Sequence, residues 1–129
     1  MLTKKILIVE DDPEIRELVG RQLRSAGLET VFAFDAVGAL KVARDEKPDL
    51  IVLDLGLPGG DGFVIMERLR AFPALCAIPI VVLTARAQES NRVRAGELGA
   101  RAFLTKPYLR DELLQLVHDV LLGHAAVAV

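Results

Sequence analysis

Asp49-Leu50-Ile51-Val52-Leu53-Asp54, followed by Leu55-Gly56-Leu57-Pro58-Gly59-Gly60-Asp61-Gly62, decides the fold. A strand covered on both faces reads as a continuous apolar run, and Leu50–Leu53 is such a run. The Pro/Gly-rich stretch after it cannot extend the strand. Asp54 is therefore expected at the carboxyl end of a central strand, the edge where open α/β sheets bind ligands.

Apolar runs and helical stripes alternate on either side of this segment. Lys5–Val9 reads as a strand and residues 12–26 as a helix. Asp12 suits its N-cap, Pro13 its first position and Gly27 its stop. The inward stripe of that helix is Ile15, Leu18, Val19, Gln22, Leu23 and Ala26. Glu29–Ala33 is a second strand, rich in β-branched and aromatic residues. Asp35 caps a helix that runs to about Glu46, where Lys47-Pro48 breaks it. Asp61 suits the cap of a third helix carrying Phe63, Met66, Leu69 and Arg70. A fourth strand, from Ile80 to Leu83, ends at Thr84. A fourth helix is expected over residues 87–98, a short strand over 101–104, and a last helix over 108–122. The stripe of the last helix is Leu109, Leu113, Leu116, Val117 and Val120. Leu114 and Leu121 fall off that stripe and are available to a partner patch.

Five strands alternating with five helices predict right-handed crossovers and a parallel sheet. The fold class is a doubly wound α/β (βα)5 domain with helices on both faces. One common strand order is 2-1-3-4-5, although spacing leaves the order open.

The 129 residues are 52% hydrophobic and 26% charged, with a formal charge of −2. That suits a single domain, with its core over about 4–122 and a frayed tail at 123–129. There is no basic stripe for nucleic acid, and no apolar stretch approaches a membrane span. The amino-terminal apolar run is too short for a signal peptide. A cytoplasmic location is the expectation. Cys76 has no cysteine to pair with in this sequence and is expected to pack as a small apolar residue.

The polar residues converge at strand ends. Strand 1 ends in Glu10-Asp11-Asp12, strand 3 in Asp54, strand 4 in Thr84 and strand 5 near Lys106. In a parallel sheet these ends share one edge. Carboxylates a few ångströms apart repel by about 4 kcal/mol per pair at an effective dielectric of ~20. Lys106 can compensate one charge. The remaining oxygens suit Mg²⁺, which takes one or two carboxylates and bridges to phosphate. His118 and His124 lie on the last helix and tail, away from any zinc or copper constellation. The chemistry that fits is attack by the Asp54 carboxylate on a phosphoryl group, giving an acyl phosphate.

Four segments together resemble a two-component response-regulator receiver domain over nearly the whole chain. They are Ile-Leu-Ile-Val-Glu-Asp-Asp-Pro (6–13), Val-Leu-Asp-Leu-Gly-Leu-Pro-Gly-Gly-Asp-Gly (52–62), Val-Leu-Thr-Ala (82–85) and Lys-Pro-Tyr (106–108). The resemblance implies strand order 2-1-3-4-5 and a chemotaxis-regulator-like, flavodoxin-like fold. It implies Asp54 as phosphoacceptor and Asp11 as a direct Mg²⁺ ligand. Glu10 would act mainly through a metal-bound water, and the Gly56 carbonyl would be a further ligand. Thr84 would hydrogen-bond the phosphoryl group and Lys106 would pair with it. Lys106–Pro107 would be cis, and Phe103 would be an aromatic switch turning inward with Thr84. Small Ala85 would leave access to Asp54. The implied partners are a sensor histidine kinase or histidine phosphotransfer protein and an output protein that reads helix 4, strand 5 and helix 5. Any homodimer is expected to be weak.

Some positions depart from the family pattern. Phe103 has no hydroxyl. Arg101 and Ala102 replace the acidic pair of receivers joined to winged-helix domains. Gly56 offers no side chain to position an attacking water, so a persistent acyl phosphate is expected. Arg86, Arg92, Arg94 and Arg101 are expected to form a solvated face or a partner surface. Two other functions compete with a signalling switch that is not an enzyme. One is a Mg²⁺-dependent aspartyl-phosphate phosphohydrolase of haloacid-dehalogenase type, which needs a second Asp where Gly56 stands. The other is a phosphate-independent pseudo-receiver, which would not need Glu10, Asp11, Asp54, Thr84 and Lys106 together. A dinucleotide-binding domain is excluded because the loop after strand 1 is acidic and lacks glycine.

Overall fold

The computed structural model describes residues 3–56, 62–86 and 88–123. The expectations for Asp61 as a cap, for His124 and for the Ala/Val tail lie outside them. Ten elements alternate: β1 (Lys5–Val9), α1 (Pro13–Arg24), β2 (Glu29–Ala33), α2 (Ala36–Glu46), β3 (Leu50–Leu53), α3 (Gly62–Ala71), β4 (Ile80–Thr84), α4 (Glu89–Glu97), β5 (Ala102–Thr105) and α5 (Arg110–Leu121). All strand pairs are parallel, in the order β2-β1-β3-β4-β5.

Local chemistry sets the boundaries. The Asp12 carboxylate accepts from the backbone N–H of Glu14 and Ile15, so α1 opens at Pro13. Asp35 Oδ1 accepts from the Gly38 N–H at 2.7 Å and opens α2. Lys47 closes α2 in the left-handed region (φ 49), ahead of Pro48. No side chain caps α4, which begins at Glu89 rather than at residue 87.

Side chains alternate across the sheet and form two cores. Leu7, Val9, Ile51, Leu53, Ile80, Val82 and Phe103 meet the alanines of α2, Phe63, Met66 and Leu69 of α3, and Ala95 of α4. Ile6, Ile8, Leu50, Val52, Val81, Leu83 and Ala102 meet Val19 and Leu23 of α1 and Leu113, Val117 and Val120 of α5.

Several side chains fall elsewhere than the sequence predicts. Leu109 is 71% exposed because it is the extended residue before α5, outside the helical stripe. Leu18 (44% exposed) and Ala26 also face solvent, since the inward arc of α1 is narrow and the helix has ended before residue 26. Leu114 and Leu121 are half-buried against the second core instead of forming an open patch. Arg70 is exposed and donates to the Glu97 carbonyl. Cys76 is exposed in the turn after α3 rather than packed. Arg92 does not join a solvated face, because its guanidinium lies over the Phe103 ring, 5.1 Å from the centroid.

Candidate functional site

The strand ladder continues past the strand ends and brings the polar residues together. The Glu10 N–H donates to the Ala33 carbonyl and the Asp54 N–H to the Val9 carbonyl, both at 3.1 Å. The Lys106 N–H donates to the Thr84 carbonyl at 2.9 Å. Glu10, Asp54, Thr84 and Lys106 thus occupy the ends of four neighbouring strands, and Asp11 follows Glu10. The Lys106–Pro107 peptide bond is cis.

Lys106 Nζ donates to Glu10 Oε1 at 2.7 Å and to Asp54 Oδ2 at 3.5 Å. Glu10 is buried, with 4% of its surface exposed. Burial pushes its carboxyl above the ordinary glutamate range, the bond from Lys106 offsets part of this, and the Asp54 charge adds to it. Burial alone would also raise Asp54. The Gly56 N–H, which donates to Asp54 Oδ1 at 3.1 Å, and the Lys106 charge outweigh it and hold that carboxyl below its usual value. The Thr84 hydroxyl favours the ionised Asp54 as well. The two acids are therefore pushed apart. Glu10 holds a proton more readily, and Asp54 stays anionic, the form a nucleophile needs.

Thr84 is fully buried, and its Oγ1 accepts from the Arg86 N–H at 3.1 Å. A hydroxyl that accepts keeps its own proton to donate. Phe103 is 3% exposed and lies on the α2–α3–α4 side of the sheet, beneath Arg92. Ala85 is exposed next to Thr84.

One oxygen each from Glu10, Asp11 and Asp54 lies within 4.8 Å of the other two. Mg²⁺ binds oxygen at about 2.0–2.1 Å, so ligands opposite each other on it sit about 4 Å apart. Three hard carboxylate donors at this spacing fit that ion with little movement. Among the described residues, no other acidic, histidine or cysteine group clusters in this way.

Two contributors to this edge were not read from the sequence. Gly62 opens α3 against the Asp54 loop, where a Cβ would sit 2.7 Å from the Asp54 carbonyl oxygen and 2.8 Å from Leu55 Cα. Its signal was a glycine among other glycines. Arg16 Nη1 donates to the Glu10 carbonyl at 2.9 Å. Its signal was a cation near a helix N-terminus, where the helix dipole disfavours one.

Residues 6–118 match the response regulator receiver domain family. The chain is 40% identical over 121 residues to the phosphate regulon transcriptional regulatory protein PhoB of Pseudomonas aeruginosa, covering 94% of this chain and 53% of that protein. It is 39% identical over 121 residues to the KDP operon transcriptional regulatory protein KdpE of Escherichia coli, covering 94% and 52%. The chain spans about half the length of these curated relatives. Among solved structures, it superposes on a LuxR-family two-component response regulator from Aurantimonas with TM-score 0.89 and 32% identity, covering 98% and 91% of the two chains. A CheY-like response regulator receiver domain protein from Methanospirillum hungatei gives 0.88 and 27%, covering 95% and 96%. No helix among the described residues is long and apolar enough to cross a membrane. The strand order, the shared edge of acids, hydroxyl and lysine, and these matches agree: the chain belongs to the response regulator receiver domain family.

Proposed function

We propose that this chain is a phosphorylation-dependent switch that accepts a phosphoryl group on Asp54 and presents the result on the α4–β5–α5 surface. The observation that carries the reading is the Asp54 carboxylate beside the Lys106 ammonium and within metal-bridging distance of Glu10 and Asp11, at the edge where strand-end ligands bind. The donor is a phosphohistidine on a sensor histidine kinase or a histidine phosphotransfer protein. An Asp54 Oδ attacks phosphorus, the P–N bond breaks, and the imidazole nitrogen leaves with the bonding pair and takes up a proton. Lys106 pairs with one phosphoryl oxygen and the Thr84 hydroxyl donates to another. Asp11, Asp54 and the Gly56 carbonyl would hold Mg²⁺, with Glu10 acting mainly through a metal-bound water, and the ion would neutralise charge on the transferring group.

Thr84 and Phe103 connect the site to the output surface. When Thr84 is drawn toward the phosphoryl group, the space beside Phe103 changes, and Phe103 with its Arg92 cover settles in a shifted population. The chain catalyses only its own phosphorylation and dephosphorylation, acts in the cytoplasm, and touches neither nucleic acid nor membrane directly. Its output goes to a partner protein.

Acetyl phosphate with Mg²⁺ tests this. The expected result is incorporation of one phosphoryl group per chain with no sustained turnover, and no incorporation in Asp54→Asn. Sustained phosphate release would favour a phosphohydrolase, and an unchanged response in Asp54→Asn would remove the assignment.

A further inference from the structure

Arg16 is an unusual residue for its place. It stands in the opening turns of α1, where a cation opposes the helix dipole. Among the described residues, its guanidinium engages two neutral groups instead of a carboxylate. Nη1 donates to the Glu10 carbonyl at 2.9 Å, and the guanidinium carbon lies 5.7 Å from the centroid of the Phe34 ring. Phe34 follows β2 and is 59% exposed, so burial does not explain an aromatic side chain there. A ring within about 6 Å of a guanidinium does supply a platform for it.

We propose that Arg16, held by Phe34, positions the Glu10–Asp11 peptide and so aims the Asp11 carboxylate; this rests on the reading of Glu10, Asp11 and Asp54 as a Mg²⁺ site. The peptide unit is planar, so the Glu10 carbonyl and the Asp11 nitrogen turn together. Pinning that oxygen fixes the direction in which the chain leaves toward Asp11 Cα. Glu10 has its own anchor in Lys106 and is buried, whereas Asp11 is exposed, and beyond its contact with the Glu10 carboxyl its aim comes from the backbone. A rigid guanidinium fork can hold a carbonyl and stack on a ring at once, which an ammonium cannot do.

The sign of the effect separates positioning from simple electrostatics. A cation beside a metal site opposes binding of a second cation, so as a bare charge Arg16 would weaken Mg²⁺ binding and its removal would tighten it. As a positioning residue its removal loosens binding. Groups that orient metal ligands commonly contribute 10–100-fold in metal affinity.

The test is Mg²⁺ titration of the whole chain followed by amide chemical shifts, with metal-free melting temperature measured alongside. Arg16→Ala is expected to raise the Mg²⁺ dissociation constant about tenfold. Arg16→Lys, which keeps the charge, and Phe34→Ala are each expected to raise it severalfold while the metal-free melting temperature stays near the parent's. Unchanged or tighter binding in Arg16→Lys and Phe34→Ala overturns the proposal, whether or not Arg16→Ala folds. Asp11→Asn serves as the control. If it binds Mg²⁺ like the parent, the metal-site reading fails and the proposal falls with it. If it loses the ion while Arg16→Lys keeps it, only the positioning role fails.

Discussion

The α1–α5 layer and the α4 helix across the sheet from it are built to different standards. On the α1–α5 side, large aliphatics interlock: Leu23, Leu113 and Val117 are fully buried against Ile6, Ile8 and Val81. Polar ties reinforce them. Tyr108 donates to Gln22 Oε1 at 2.6 Å, and Arg110 donates to Ser25 Oγ at 2.7 Å. On the opposite side, α2 presents the small residues Ala36, Ala39 and Ala43, and α4 buries only Ala95. What covers this side is partly cationic. Arg92 lies over Phe103 and Arg94 over Phe63, the latter at 4.3 Å. On this side α3 still buries Ile65, Met66 and Leu69, so the light cover is α4 alone, set against the foundation of α1 and α5. The one buried side chain of α4 is a methyl group, its two guanidiniums at Arg92 and Arg94 stack on Phe103 and Phe63, and the surface proposed to carry the output includes that helix.

The contrast can be broken at several points. The largest effect belongs to the foundation. Leu113→Ala should lower unfolding free energy by about 3 kcal/mol, measured by denaturant titration. Val93→Ala on α4, exposed by half, should stay within about 0.5 kcal/mol. Similar losses at the two positions would erase the distinction. Next is Gly62→Ala, where the added methyl meets backbone of the Asp54 loop. It should destabilise by about 1–3 kcal/mol and slow phosphorylation of Asp54 by acetyl phosphate. A neutral result would mean that α3 starts on soft ground.

Glu10→Gln comes third and depends on pH. The folded state raises the Glu10 pKa, so ionised Glu10 weakens the metal-free fold, and protonation removes that cost. The glutamine variant should therefore melt above the parent at pH 8, and the gain should fade as pH falls toward the ordinary glutamate value of 4.5. A gain that persisted in acid would contradict the shift. Asp54 has the opposite sign. Its lowered pKa contributes stability above the ordinary aspartate value of 3.8, lost as pH falls through the folded value. The smallest effect is Arg92→Ala, worth under about 1 kcal/mol of stability but visible as altered motion of the Phe103 ring by NMR. A loss above about 2 kcal/mol would show that the cover is bolted down.

Much of this was legible in the sequence. β1 and β2 begin and end where their apolar and β-branched runs do, because strand interiors tolerate little else. Asp12 and Asp35 announced their helices because a capping carboxylate acts within three residues of chain. The convergence of Glu10, Asp54, Thr84 and Lys106 was legible because a parallel sheet gathers its carboxyl ends. The start of α4 was misjudged because no side chain caps it. Leu109 was misread because a stripe carries no mark of where its helix begins. Arg92 over Phe103 and Arg16 over Phe34 join residues of different elements, and no local pattern encodes such a meeting.

The 2.7 Å bond between Lys106 and Glu10 joins residues 96 positions apart in the chain. Glu10 follows the first strand, which lies inside the sheet, and Lys106 follows the last, which lies at its edge. On a ribosome, the acids are made early and their neutralising lysine late. Until residue 106 has emerged and β5 has docked, the carboxylates have the backbone N–H groups of Asp12 and Gly56, but no lysine charge, to answer their repulsion. Closing so long a loop is slow, since its entropy must be lost before the contact forms. The charge that completes the pocket thus arrives with the last strand of the sheet, and an unfinished chain cannot present the finished pocket.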